Sequence, residues 1–166
     1  MTSQPSIFER FQCLKTWRRG AEEAPHKPLL LLYALGRWHT SRLTRIPFSE
    51  VDRDLTALLQ EFGPGRASHR PQYPFWRLQN DGIWEVHCPA LLKRLESTTD
   101  PTRGELLGHN ATGGFPDWVL AVLYADPAIV LDLAQSILDA RFPPSQHRKI
   151  LERVGLRREG SGTGGE

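Results

Sequence analysis

The chain has 166 residues, 39% of them hydrophobic and 24% charged. That is one domain's worth of chain, able to bury about two thirds of its unfolded surface without staples. The formal net charge of +2 excludes a strongly basic or acidic protein. No run approaches the ~20 apolar residues of a membrane span, so no membrane is expected, and no charged-then-apolar leader pattern opens the chain.

The distribution of charge says more than its sum. Of the 21 basic residues only Lys15, Lys27, Lys93 and Lys149 are lysines. An arginine excess fits a GC-rich genome, and it equally fits contact with phosphates and base edges. Between Arg10 and Arg45 stand eight basic residues against Glu22 and Glu23. Between Gly63 and Gln79 there are three arginines and no acid. Between Asp117 and Asp139 there are four aspartates and no base. This pattern describes a dipolar molecule with one face for a polyanion. Cys13 and Cys88 lack CxxC spacing and read as reduced thiols of a cytoplasmic protein.

In chain order, residues 1–6 read as frayed. Ile7, Phe8, Phe11, Leu14 and Trp17 make a helical stripe from Ile7 to Arg19. Residues 21–28 form a loop, and Pro28 opens an apolar, central helix over LLLLYALGRWH. Leu43 to Ile46 is a short strand candidate. Ser49 and Asp52 form a variant capping box for a helix through Val51, Leu55, Leu58, Leu59 and Phe62. Residues 63–72 are a polar, turn-rich loop. Phe75–Leu78 and Ile83–Val86 read as strands joined by the hairpin turn Asn80-Asp81-Gly82. Short helices are expected at Ala90–Leu95 and Arg103–Leu107, and a tight loop at Ala111–Pro116. Apolar helices follow at about 116–125 and 127–141, the second capped by Asp126. A last helix runs from Ser145 to Val154, and Arg157 onward is a Gly/Ser tail. The expected fold is mainly α with a small β-hairpin: a winged-helix-like helix-helix-hairpin core plus C-terminal helices.

No catalytic constellation accompanies this outline. His26, His39, His69, His87, His109 and His147 form neither HExxH nor a Cys-His cluster, so no metal is expected. There is no P-loop and no GxSxG, and Gly113-Gly114 is a lone diglycine. The residues argue for a binding module and against an autonomous enzyme, with no cofactor.

Two motifs point to a ligand. Pro25-His26-Lys27-Pro28 precedes the central helix, where free N–H groups and partial positive charge favour an anion. The plain alternative is that His26 caps the helix and Lys27 is solvated. Tyr73-Pro74-Phe75-Trp76-Arg77-Leu78 follows the basic loop Arg66–Arg70. Phe75 and Trp84 read as packing residues, and Tyr73 and Pro74 as more exposed.

PHKPLLLLYALGR, FGPGRASHRPQYPFWRLQNDGIWEV and LLGHNATGGFP together resemble the sulfur-binding domain of phosphorothioate-dependent HNH restriction endonucleases, from about Ala24 to Leu156. The resemblance implies recognition of double-stranded DNA in which sulfur replaces one non-bridging phosphate oxygen. It implies a pocket of His26, Lys27, Tyr73 and Pro74, with Arg77 lining the edge through its stem. Some relatives carry arginine at the place of Lys27, and others a small residue near Arg77. Candidates for backbone or base contacts are Arg66, Ser68, His69, Arg70, Gln79, Arg103, His109, Asn110, Thr112 and Gly113. The resemblance also implies a sulfur-binding domain over residues 1–156. Residues 157–166 then form a flexible linker toward a C-terminal HNH nuclease domain, the partner that cuts in a type IV restriction enzyme of bacterial defence.

The chemistry fits from below. Sulfur is larger, softer and a poorer hydrogen-bond acceptor than oxygen, so its pocket should be apolar. Burying a few tens of Å² at about 25 cal/mol/Å² contributes on the order of 1 kcal/mol. Strong discrimination therefore also needs a penalty for a hydrated oxygen pressed against apolar atoms. Lys27 and the helix N-terminus would hold the remaining phosphate oxygen. Two other readings stay open: a winged-helix regulator of unmodified sequence, and an interaction domain with no nucleic acid.

Overall fold

A computed structural model describes residues 6–14, 18–19, 22–23, 25–63, 69–96 and 99–156. The central element is α2, His26–Ser41. Leu29, Leu30, Leu31, Leu32, Leu35 and Trp38 on it are fully buried. An apolar helix of this kind is stable only when wrapped on several sides. Four helices do so: α3 (Phe48–Phe62), α4 (Gln72–Arg77), α7 (Ile129–Arg141) and α8 (Pro144–Val154). Helix α1 (Ile7–Gln12) packs on α7.

Helix α3 shows how the pattern sets orientation. Val51, Leu55, Leu58, Leu59 and Phe62 recur at helical spacing and face the core. Its opposite edge meets α2 through polar contacts. Tyr33 Oη donates to Asp54 Oδ2 at 2.6 Å, and Arg37 pairs with Glu50 at 2.7 Å. The helix starts at Phe48 after Pro47, with no side-chain cap. The capping box expected at Ser49 is therefore not used.

A three-stranded antiparallel sheet has the order β3-β5-β4, from Ile46–Pro47, Thr112–Gly114 and Glu85–His87. Ile46 pairs with Gly113, which also pairs with Val86. The central strand β5 lies in the segment expected to be a loop. Its glycines let other groups approach closely. A Cβ on Gly113 would lie 2.7 Å from Phe75 Cε1 and from Trp84 Cζ2. Phe48, Phe75, Trp84 and Phe115 form the aromatic cluster there, with neighbouring centroids 4.8 to 6.0 Å apart.

The expected hairpin does not form. Gln72–Arg77 is helical and continues as a 3-10 turn over Leu78–Asp81. Pro74 is tolerated because the first turn of a helix needs no N–H from it. A short run with Phe75, Trp76 and Leu78 buried satisfies either a strand or a helix. Gly82, with φ of 76°, ends the 3-10 turn as a left-handed stop. The strand Ile83–Val86 reduces to β4, which pairs with β5 instead.

Other boundaries shift locally. Helix α1 ends at Gln12, and Arg18–Arg19 pairs with Glu22–Glu23 as β1 and β2. Asp126 terminates α6 (Asp117–Ala125) instead of capping α7, and its carbonyl accepts from Ile129 N–H. Residues 89–96 form a second 3-10 segment, and α5 spans Arg103–Gly108. Cys13 and Cys88 are free thiols. The tail from residue 157 lies outside the described residues.

Candidate nucleic-acid interface

Helix α2 begins on Pro25, which makes no side-chain cap hydrogen bond. Leu29 N–H already bonds Pro25 O at 3.0 Å. Pro28 brings no N–H at all, so this helix end has fewer free donors than most. His26 is half-buried, and Lys27 is buried. The ammonium of Lys27 lies 2.7 Å from Asp81 Oδ2, with side-chain exposures of 10% and 1%. Lys27 is thus neither solvated nor a bare cation. Its stem lies against the protein and its charge is met from inside.

Asp81 closes the 3-10 turn that continues α4. The ion pair therefore ties the Pro25–Pro28 segment to the Tyr73–Arg77 segment, and α2 packs on α4 as well. Tyr73 is half-buried and Pro74 buried. The guanidinium of Arg77 stands 4.5 Å from the centre of the Tyr73 ring, and its Nε donates to Asp100 Oδ2 at 2.5 Å. Arg77 remains half-exposed, while Asp100 is largely covered. The arginine is held outward on a carboxylate beneath it.

Arg103 repeats this arrangement. It bonds Asp52 on α3 through two nitrogens, at 2.8 and 2.6 Å, and stays more than half exposed. Arg70, His109 and Asn110 are exposed, His69 and Thr112 half-buried. Asn110 has a φ of 53°, which turns the chain from α5 into β5. Arg66 and Ser68 lie outside the described residues.

Two expected contact residues also serve the fold. Gln79 uses both ends of its amide internally, donating to Trp76 O at 3.0 Å and accepting from Val86 N–H at 3.1 Å. Gly113 is buried in the central strand against Phe75 and Trp84. These bonds fix the Gln79 amide within the fold with one N–H and one lone pair still available, while Gly113 offers only a buried backbone.

Asp52 and Asp81 were expected only as a capping and a turn residue, and Asp100 was not singled out. Nothing in their local spacing marks them, because each meets its partner across the fold. Trp118 was missed too. It is 40% exposed, donates to Gly82 O at 3.2 Å and lies beneath Arg10. Among the described residues no group of three or more His, Cys, Asp or Glu is placed to hold a metal. Among the described residues no single helix is long and apolar enough to cross a membrane.

The class follows from comparison. The chain is a DNA sulfur-binding domain: residues 4–159 match, and the chain belongs to, the ScoMcrA-like DNA sulfur-binding domain family. Such a domain is a binding module, without catalysis of its own. The chain resembles the sulfur-binding domain of ScoMcrA complexed with phosphorothioated DNA, at a TM-score of 0.74 and 24% identity. That match covers 91% of this chain and 96% of the other. It also resembles the sulfur-binding domain of SprMcrA complexed with phosphorothioated DNA, at 0.68 and 22%, covering 89% and 90%. The type IV phosphorothioation-dependent restriction endonuclease ScoMcrA matches at 0.72 and 22%, over 94% of this chain but 29% of that one. At these identities the likeness is one of fold. No curated protein sequence matches.

Proposed function

We propose that this chain recognises double-stranded DNA carrying a phosphorothioate linkage and seats the sulfur against the surface formed where α2 meets α4. Pro74, the Tyr73 ring and the stems of Lys27 and Arg77 supply that wall, with His26 at its rim. The observation that carries this reading is the buried Lys27–Asp81 pair, which holds the two motifs of the resemblance side by side. The donor-poor helix start at Pro25–Pro28 fits the same chemistry, since sulfur accepts hydrogen bonds poorly and oxygen needs them. Arg70, Arg77, Arg103, His109 and Asn110 are the proposed backbone and groove contacts, and Arg66, Ser68, His69 and Thr112 belong to the same proposal. Phosphate contacts of this kind supply most of the affinity and make it salt-dependent.

The architecture is read as winged-helix-like. The order α2-β3-α3-α4-β4-β5 with strand order β3-β5-β4 supports this reading, with α4 as the helix that would enter a groove. The segment between β4 and β5, residues 88–111, then stands as an insertion in the wing. The same order favours a second reading, a regulator of unmodified sequence. In the full-length protein, residues 1–156 act as the recognition domain of a modification-dependent endonuclease. Residues 157–166 link it to an HNH nuclease domain that cuts.

A paired titration tests the two readings. One short duplex carries a single phosphorothioate of defined stereochemistry, and its twin carries none. A preference of about tenfold or more for the sulfur duplex at one near-physiological salt concentration supports the proposal. Equal affinity sinks it and leaves the regulator.

A further inference from the structure

We propose that Asp81 makes the sulfur wall selective, by cancelling the charge of Lys27 where DNA would meet it. The inference rests on the phosphorothioate reading above and concerns a residue outside the pocket that reading implies. The Asp81 carboxylate is 1% exposed and lies 2.7 Å from the ammonium. The partners stand 54 residues apart, on the first turn of α2 and on the 3-10 turn after α4. A buried ion pair of this kind is weak as a source of stability, since its Coulomb gain is spent on desolvation. Its effect on a ligand is larger.

An ammonium facing DNA without a counter-charge would donate a charge-assisted hydrogen bond to a phosphate oxygen. That contact rewards ordinary DNA over its sulfur counterpart. With the charge met by Asp81, Lys27 offers chiefly its aliphatic stem. Pro25 and Pro28 at the start of α2 and Pro74 in the first turn of α4 bring no N–H donors to these two helix starts. Oxygen placed there loses water and gains little, while sulfur loses less. Selectivity arises from the donor that the wall withholds.

The test uses the whole chain, the two matched duplexes and a series of salt concentrations, with thermal melting of each variant. Asp81→Asn keeps the shape and removes the counter-charge. It should bind the unmodified duplex about tenfold more tightly and the sulfur duplex nearly as before, so the preference falls about tenfold. The salt slope on unmodified DNA should steepen by about 0.9, one more phosphate neutralised. The double variant Lys27→Met with Asp81→Asn has no ammonium to release and should lose the tenfold gain on the unmodified duplex that Asp81→Asn alone shows. An unchanged preference in Asp81→Asn, or an equal loss on both duplexes, overturns the proposal. If Asp81→Asn does not fold, Asp81→Ala takes its place, with the same expected gain on the unmodified duplex and the same refuting outcomes. A wild-type chain without preference sinks the phosphorothioate reading and this inference together. A wild-type preference that Asp81→Asn leaves unmoved sinks this inference alone.

Discussion

The guanidinium of Arg77 lies over the ring of Tyr73, 4.5 Å from its centre, while its Nε is held by Asp100. The stack covers one face of the tyrosine and keeps the arginine's remaining donors turned outward. If those donors meet a phosphate, Arg77→Ala should weaken binding to the unmodified duplex about tenfold, and to the sulfur duplex somewhat more because its stem is also part of the wall. The salt slope should become shallower by about 0.9. Asp100→Asn removes the competing carboxylate and should move affinity the other way. Fluorescence anisotropy titrations at several salt concentrations read both effects.

Tyr73 and Pro74 are expected to behave differently from Arg77. Each contributes apolar surface and no charge, so its removal should act on the preference and not on the salt slope. Tyr73→Ala should lower the sulfur preference about fivefold, in line with the loss of a few tens of Å² at about 25 cal/mol/Å², and Pro74→Ala, whose ring is buried, by less. Equal falls on both duplexes would place the pocket elsewhere.

Gly113 belongs to the core, and its substitution should show it. A Cβ there would stand 2.7 Å from both Phe75 and Trp84, two aromatic rings fixed by their own neighbours. Gly113→Ala should cost about 1–3 kcal/mol of stability by overpacking. Urea unfolding measures this. At a temperature where the variant stays folded, its sulfur preference should match that of the wild type.

Arg103 offers the converse case. Its pair with Asp52 is exposed on the arginine side, and such pairs stabilise by about 0–1 kcal/mol. Arg103→Ala should leave the melting temperature within about 2–4 °C of wild type. It should weaken both duplexes alike and make the salt slope shallower.

His87 gives the fold a pH dependence. Burial, and then the nearby charge of Arg45, hold its pKa below the ordinary value of 6.5. The folded state therefore keeps His87 neutral where the unfolded chain already binds a proton. Stability should be fully present above about pH 6.5, fall as the pH drops through that value, and level off below the depressed folded pKa. Thermal melts across this range should show the decline, and His87→Gln should remove this contribution.

Most helices were legible because their evidence is local. The stripe Val51, Leu55, Leu58, Leu59 and Phe62 identifies α3, and the apolar run after Pro28 identifies α2 as the core element. Both follow from helical periodicity within one segment. Phe75–Leu78 was misread because four residues with alternating and adjacent apolar positions satisfy two periods. Asn80-Asp81-Gly82 was read as a hairpin turn, yet its Gly82 stops a 3-10 helix. The left-handed backbone it provides serves either purpose. Strand β5 was read as a loop because Thr-Gly-Gly has no propensity of its own. Its pairing with β3 and β4 comes from residues far along the chain.

The candidate site divides along the same line. The sequence by itself determined which segments carry the recognition chemistry: PHKP at a helix start, YPFWR beside a basic loop, and the family they indicate. Those are properties of residue order and local composition. It did not determine that Lys27 is paired, that Arg77 and Arg103 stand on Asp100 and Asp52, or that Gln79 and Gly113 are committed to the fold. Each of these depends on groups up to 54 residues apart meeting within hydrogen-bond distance inside or at the edge of a packed core. No periodicity records such a meeting, because only the closed chain decides which buried charge finds which partner.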